Sequence, residues 1–97
     1  MSDAVAAAVA ALNDRLGGEG IADGSVRILI EDEGTLLVDA DGARAGEGEA
    51  DCTLTADADT FRDLLTGGLD PTSAFMGGRL RIEGDMSLAM KLASLLG

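Results

Sequence analysis

Histidine, tryptophan and tyrosine are missing from this chain, and cysteine occurs once. Without histidine, the usual zinc sites, serine–histidine nucleophiles and imidazole acid–base chemistry are unavailable. The lone Cys52 rules out an internal disulfide and fits a reducing compartment. Phe61 and Phe75 are the only aromatic residues. No tryptophan or tyrosine ring can stack on bases or sugars, and aliphatic side chains must do the packing. Positive charge is scarce as well: 7 basic residues stand against 18 acidic ones, a net charge of −11. Nucleic-acid binding and simple electrostatic docking on an anionic membrane both need a basic patch, so neither is expected. The excess charge favours solubility. No apolar run approaches the ~20 residues of a membrane span. The opening MSDAVAAAVAALNDRLG lacks the basic start of a secretory signal and carries Asp3, so a cytoplasmic protein is expected.

What is present reads as one globular domain over 1–97, with 46% hydrophobic residues. A domain this small has a thin core, and a large internal void would be expensive. Residues 3–16 repeat Val5, Val9, Leu12 and Leu16 at helical spacing, with Ser2 or Asp3 as cap and Gly17-Gly18 as stop. GGEGIADG (17–24) reads as a flexible connection. SVRILIE (25–31) and TLLVDA (35–40) alternate as strands, separated by the turn EDEG (31–34). Asp41-Gly42 signals a tight hairpin. ARAGEGEA (43–50) is a weak third strand and DCTLTA (51–56) a fourth, with Cys52, Leu54 and Ala56 on one side. The period then changes. DADTFRDLLTGG (57–68) is a helix capped by Asp57. Asp70-Pro71 opens a short helix through Phe75 and Met76. RLRIEG (79–84) is a fifth strand with Leu80 and Ile82 inward, and Asp85 caps a final helix. The early tight turns imply an antiparallel meander. The fold class expected is α+β: a five-stranded, mainly antiparallel sheet covered on one face by helices.

No residue constellation points to an enzyme, a metal or a cofactor. Asp57 and Asp59 crowd a helix start, where the macrodipole favours negative charge, so capping is the expected role. Glu31-Asp32-Glu33 and Glu47-Gly48-Glu49 carry the charge density to collect a hard cation, but they read better as solvated turns. Cys52 reads as an inert small core residue. GGRLRIEG is not a phosphate cradle, because its glycines bound a strand rather than joining strand to helix.

The terminal GDMSLAMKLASLLG is the unusual stretch. As a helix it is polar only at Ser87, Lys91 and Ser94, one narrow stripe. A surface helix normally buries an apolar face of ~100° or somewhat more, so a second apolar side here needs a partner. Leu88, Leu92 and Leu95 form one row and Met86, Met90 and Ala93 another. The chain's own core, a self-association surface or an apolar ligand can each supply that partner. Met76, Met86 and Met90, flexible and polarizable, favour an irregular apolar ligand site, with Phe75-Met76 closing one end.

At these residues the chain resembles the sterol carrier protein 2 family. The resemblance is densest in ADCTLTADADTFRDLLTGGLDPTSAFMGGRLRIEGDMSLAMKLASLL (50–96), through ADCT-T, the TG after the helix, and P-SAF--G-L-I-G-M-LAMKL. It extends back to about Gly20 as strand pattern only. The resemblance implies a hydrophobic lipid tunnel enclosed by sheet and helices. It implies a non-catalytic protein that binds and transfers fatty acids, fatty acyl-CoA, sterols or other lipids. Carried onto this sequence, it names Phe75, Met76, Leu80, Ile82, Met86, Ala89, Met90 and Leu92 as lining, with Phe61, Leu64 and Leu65 beside them. A monomer making transient contact with a membrane or a lipid enzyme is the matching expectation. The alternative is an interaction or dimerisation module that uses the apolar C-terminal helix. Whether Arg27, Arg44, Arg79 and Arg81 gather to hold a headgroup is a question for the structure.

Overall fold

The computed structural model describes residues 3–17, 21 and 24–96, with side chains described as far as Leu92. The element order is α1 (Asp3–Leu16), β1 (Val26–Ile30), β2 (Gly34–Asp39), β3 (Gly42–Ala45), β4 (Cys52–Ala56), α2 (Ala58–Thr66), α3 (Pro71–Met76), β5 (Arg81–Gly84) and α4 (Met86–Leu96). The strands form one open sheet in the order β3-β2-β1-β4-β5. Three pairings are antiparallel, and β1–β4 is parallel. The mainly antiparallel α+β fold is therefore present.

The meander stops at β3. Instead of adding a further hairpin, the chain crosses to the far side of β1. The most apolar strand takes the centre of the sheet, where Val26, Ile28 and Ile30 are all buried. Residues 46–50 run over the outer face, and Gly48 lies close on Leu37: a Cβ there would sit 3.3 Å from Leu37 Cδ1. The segment 43–50 is thus strand only as far as Ala45. The inner face carries Val26, Ile28, Leu36, Val38 and Leu54, all buried. The other face carries Arg27, Leu37, Arg44, Thr53 and Glu83 in one cross-strand row.

Helix α1 covers β2 and β3, α4 covers β4 and β5, and α2 lies against α1. Ser2, the alternative cap of α1, lies outside the described residues, and Asp3 is the first residue of the helix. Of the expected flexible connection, Ile21 is buried, and its N–H donates to Asp39 O at 3.0 Å. The β2–β3 loop is Ala40-Asp41, one residue earlier than the Asp-Gly signal suggests, because Gly42 already pairs with Asp39.

Gly42 has a reason for lacking a side chain. Its φ is 109°, and a Cβ would fall 2.8 Å from Asn13 Oδ1. Asn13 on α1 meets Ala43 on edge strand β3 in both directions. Its Nδ2 donates to Ala43 O at 2.9 Å, and Ala43 N–H donates to its Oδ1 at 2.8 Å. One side-chain amide thereby occupies the open edge, as a neighbouring strand would. Asn13→Ala is expected to destabilise the fold by about 1–3 kcal/mol, since two backbone groups lose their partner. A lowered urea midpoint with an unchanged slope is the check.

Candidate functional site

The three helices around β4 and β5 are built on the same local plan. Asp57, Asp70 and Asp85 each cap one of them, accepting from the backbone N–H of Thr60 (2.8 Å), Ser73 (3.1 Å) and Ser87 (2.9 Å) respectively. Four residues after each cap the first intrahelical N–H returns to the cap carbonyl, from Phe61, Ala74 and Ala89. All three of those residues are buried. The cap therefore sets the phase, and the residue one turn later points inward.

The start of α4 is fixed to the sheet. Asp85 N–H donates to Asp51 O at 2.9 Å, and Asp51 Oδ2 accepts from Ser25 N–H at 3.0 Å. Gly84, at φ 92°, lets this happen: a Cβ would lie 2.4 Å from Asp51 O. Helix α3 buries only Ala74, whose carbonyl receives the N–H groups of Arg79 and Leu80. Met76 is left facing outward and Phe75 half-exposed.

Between α2, α3, α4 and the sheet lies a narrow slot of about 40 Å³. Its lining is Leu54, Phe61, Leu64, Pro71, Thr72, Phe75, Leu80, Ile82, Ala89 and Met90. Thr72 is the single polar member. Phe75 and Met90 are 41% and 47% exposed, so the mouth lies between α3 and α4. A second, wider groove of about 390 Å³ runs between α1 and α2. Ala4, Ala7, Ala8 and Ala11 form its α1 wall, Ile30 its floor, and Ala58, Phe61 and Leu65 much of its α2 wall. Asp3, Asp59, Arg62 and Thr66 give it a polar rim. Arg62 is paired with Asp59 at 2.8 Å, and Arg15 ties the helices by donating to Leu65 O.

Seven of the lining residues expected from the sequence meet in the slot: Phe61, Leu64, Phe75, Leu80, Ile82, Ala89 and Met90. Four do not. Met76 is 79% exposed, because α3 turns it away, and Met86 is exposed at the first turn of α4. Leu92 is consumed by the core, and Leu65 faces the other groove. Leu80 is buried but precedes β5 rather than belonging to it. Of the two rows on α4, Leu88 and Leu92 are buried, Met86 is exposed and Met90 stands half-exposed at the slot mouth; the side chains of Ala93 and Leu95 lie outside the described residues.

Sequence reasoning missed Leu54, Pro71 and Thr72. Leu54 pairs with Ile82 across β4–β5, so strand alternation was its signal. The groove was missed entirely, although Ala4, Ala7, Ala8 and Ala11 repeat at helical spacing. The arginines do not gather. Arg27, Arg44 and Arg81 stand on the outer sheet face, Arg44 is paired with Asp39 at 2.8 Å, and Arg79 lies 3.7 Å from Asp63.

The titratable groups near the slot do structural work. Burial, and then the charge of Asp85, push the Cys52 thiol up and away from reactivity. Hydrogen bonds from Thr60, through its side chain and then its backbone, hold Asp57 below the usual carboxylate range, with Arg79 adding a smaller attraction. Among the described residues no three histidine, cysteine or acidic side chains are placed to hold a metal.

The model of the SCP-2 sterol transfer family matches residues 3–97. The chain belongs to this family. It is 48% identical over 64 residues to sterol carrier protein 2 of Rattus norvegicus, covering 65% of this chain and 10% of that protein. It is 38% identical over 73 residues to hydroxysteroid dehydrogenase-like protein 2 of Xenopus tropicalis, covering 69% of this chain and 18% of that one. The chain thus spans less than a fifth of the curated relatives it matches. Its fold is shared with an Aedes aegypti sterol carrier protein 2 solved in complex with palmitate. The TM-score is 0.79 at 18% identity, over 100% of this chain and 97% of that one.

The Asp57 cap fixes Phe61, and its pH dependence has a definite sign. A depressed folded pKa contributes stability that is fully present above the unfolded carboxyl value of about 3.9 and is lost as pH falls through the lower folded value. The stability gap between wild type and Asp57→Ala should therefore hold above about pH 4 and narrow as pH falls below it, read from urea midpoints.

Proposed function

We propose that this chain is a lipid carrier domain that takes the apolar chain of a fatty acid, fatty acyl or related lipid into the slot beneath α2, α3 and α4. The observation that carries the reading is the lining. Apart from Thr72, every wall residue is apolar, and the charged groups of a chain at −11 are kept out of it. Such a surface offers nothing to a polar substrate and no group able to do chemistry. Membership in a sterol transfer family and the palmitate bound by the Aedes aegypti protein support the same reading.

The mechanism is desolvation. Each methylene moved from water into the slot contributes about 0.8 kcal/mol, so an acyl chain supplies its own driving force. The headgroup stays in water, outside the apolar lining. At about 40 Å³ the slot is far smaller than the ~300 Å³ at the low end of ligand sites. It must widen as the chain enters. Phe75 and Met90 are the movable walls, because both are half exposed and can swing outward without uncovering the core.

A fluorescent fatty acid titrated into the protein should bind saturably at micromolar concentration. Met90→Glu should weaken that binding by more than about tenfold, because a carboxylate at the mouth has to be desolvated or protonated. Its circular dichroism should be unchanged, since Met90 already meets solvent. Retained uptake by the variant, or no saturable binding by wild type, would overturn the proposal.

A further inference from the structure

Phe61 lines both cavities: the slot under α3 and α4, and the groove between α1 and α2. No other residue of either lining does so. Its ring is 5% exposed. It shares the slot lining with Leu54 and Leu64, and the groove lining with Ile30 and Leu65. Phe61 is therefore the one residue that borders both a space of about 40 Å³ and one of about 390 Å³. The first is too small for any lipid chain, whereas the second lies within the range of ligand sites, ~300–1,000 Å³.

We propose that the Phe61 ring is a movable partition: turned aside, it joins slot and groove into one channel, and it thereby sets the length of chain the site accepts. The inference rests on the lipid-binding reading above and adds the second cavity to it. Phe61 sits in the first turn of α2, on a backbone fixed by the Asp57 cap, so the ring can change place only by rotating about its own bonds. A helical phenylalanine has two favoured χ1 wells, and passing between them swings the ring by several ångström. The displaced ring needs somewhere to go. The alanines of α1 leave that room in the groove, because Ala7, Ala8 and Ala11 present only methyl groups. The two ends of the joined channel differ. The slot end is apolar, while the groove end has Asp59, Arg62 and Thr66 on its rim. A chain threaded past Phe61 would leave its polar end at the α1–α2 rim and its methyl end toward Met90.

The test displaces a fluorescent fatty acid from the intact protein with straight-chain fatty acids from about C8 to about C18, each further buried methylene being worth about fourfold in affinity. A continuous channel gives a rise with no break to the long end. Phe61→Trp thickens the partition and should impose a plateau at shorter chains. Phe61→Leu thins it, keeps the site apolar, and should leave long chains bound as tightly or more so. Spin-labelled stearates provide a second readout on the wild-type protein. A label near the carboxyl should broaden the Ala7 and Ala11 methyl signals, and a label near the methyl end should broaden that of Met90. A wild-type plateau that neither variant moves, or broadening confined to one cavity with both labels, would overturn the partition and leave lipid binding standing. No saturable binding by any chain would overturn the lipid reading and the partition with it.

Discussion

One face of the mixed sheet has to be covered, and the helices available to cover it do not carry the side chains to fill the space beneath them. Protein interiors otherwise pack as densely as organic crystals, with few voids larger than a water. Here α1 turns alanines toward α2, and α3 contributes only Ala74 to the core before turning away. Phe61 and Phe75, the two aromatic rings of the chain, stand where the filling runs short. The slot and the groove both follow from this shortfall of side-chain volume on the inner face.

Much of the fold was legible because local signals agreed with one another. The alternation of Val26, Ile28 and Ile30 gave β1, and the three Asp caps gave the starts of α2, α3 and α4. The position of β4 was not legible. Short turns argue for a meander, but nothing local in 46–50 says that the chain should cross two strands to reach the far side of β1. That choice is made by burial: an apolar strand at an edge would leave one side uncovered, so β1 takes the centre. The site was legible where lining residues sit one turn after a cap, as Phe61 and Ala89 do, or alternate on a strand, as Ile82 does. It failed for Met76 and Met86. Their apolar character suggested burial, but each lies on the side of its helix that the phase set by the cap turns toward solvent.

Charge follows the same division of faces. Arg27, Arg44 and Arg81 occupy the outer side of the sheet, opposite the helices, and Asp39 holds Arg44 there. Asp57, Asp70 and Asp85 are spent on helix caps, where the backbone amides satisfy them. Arg62 on the groove rim is itself paired with Asp59, so a headgroup there meets an already compensated charge. Selectivity then falls to the shape and length of the apolar portion, and a wall residue such as Phe61 matters more than any ion pair.

The narrowness of the slot is what the energetics of a small domain require. An unfilled cavity destabilises by about 24 cal/mol per Å³, so a tunnel of ~300 Å³ held open would cost about 7 kcal/mol. The whole stability of a domain is only about 5–15 kcal/mol. At about 40 Å³ the slot costs about 1 kcal/mol, which a thin core can carry. The groove escapes this cost because it is open to water along its polar rim. A lipid site in such a chain is best kept nearly closed and widened by the guest itself, whose methylenes replace the contacts that the walls give up. The residues that move should then be those whose displacement uncovers least. Met90 and Phe75, already at the surface, meet that condition at the mouth, and Phe61 meets it inside, where its ring leaves one apolar space only to enter another.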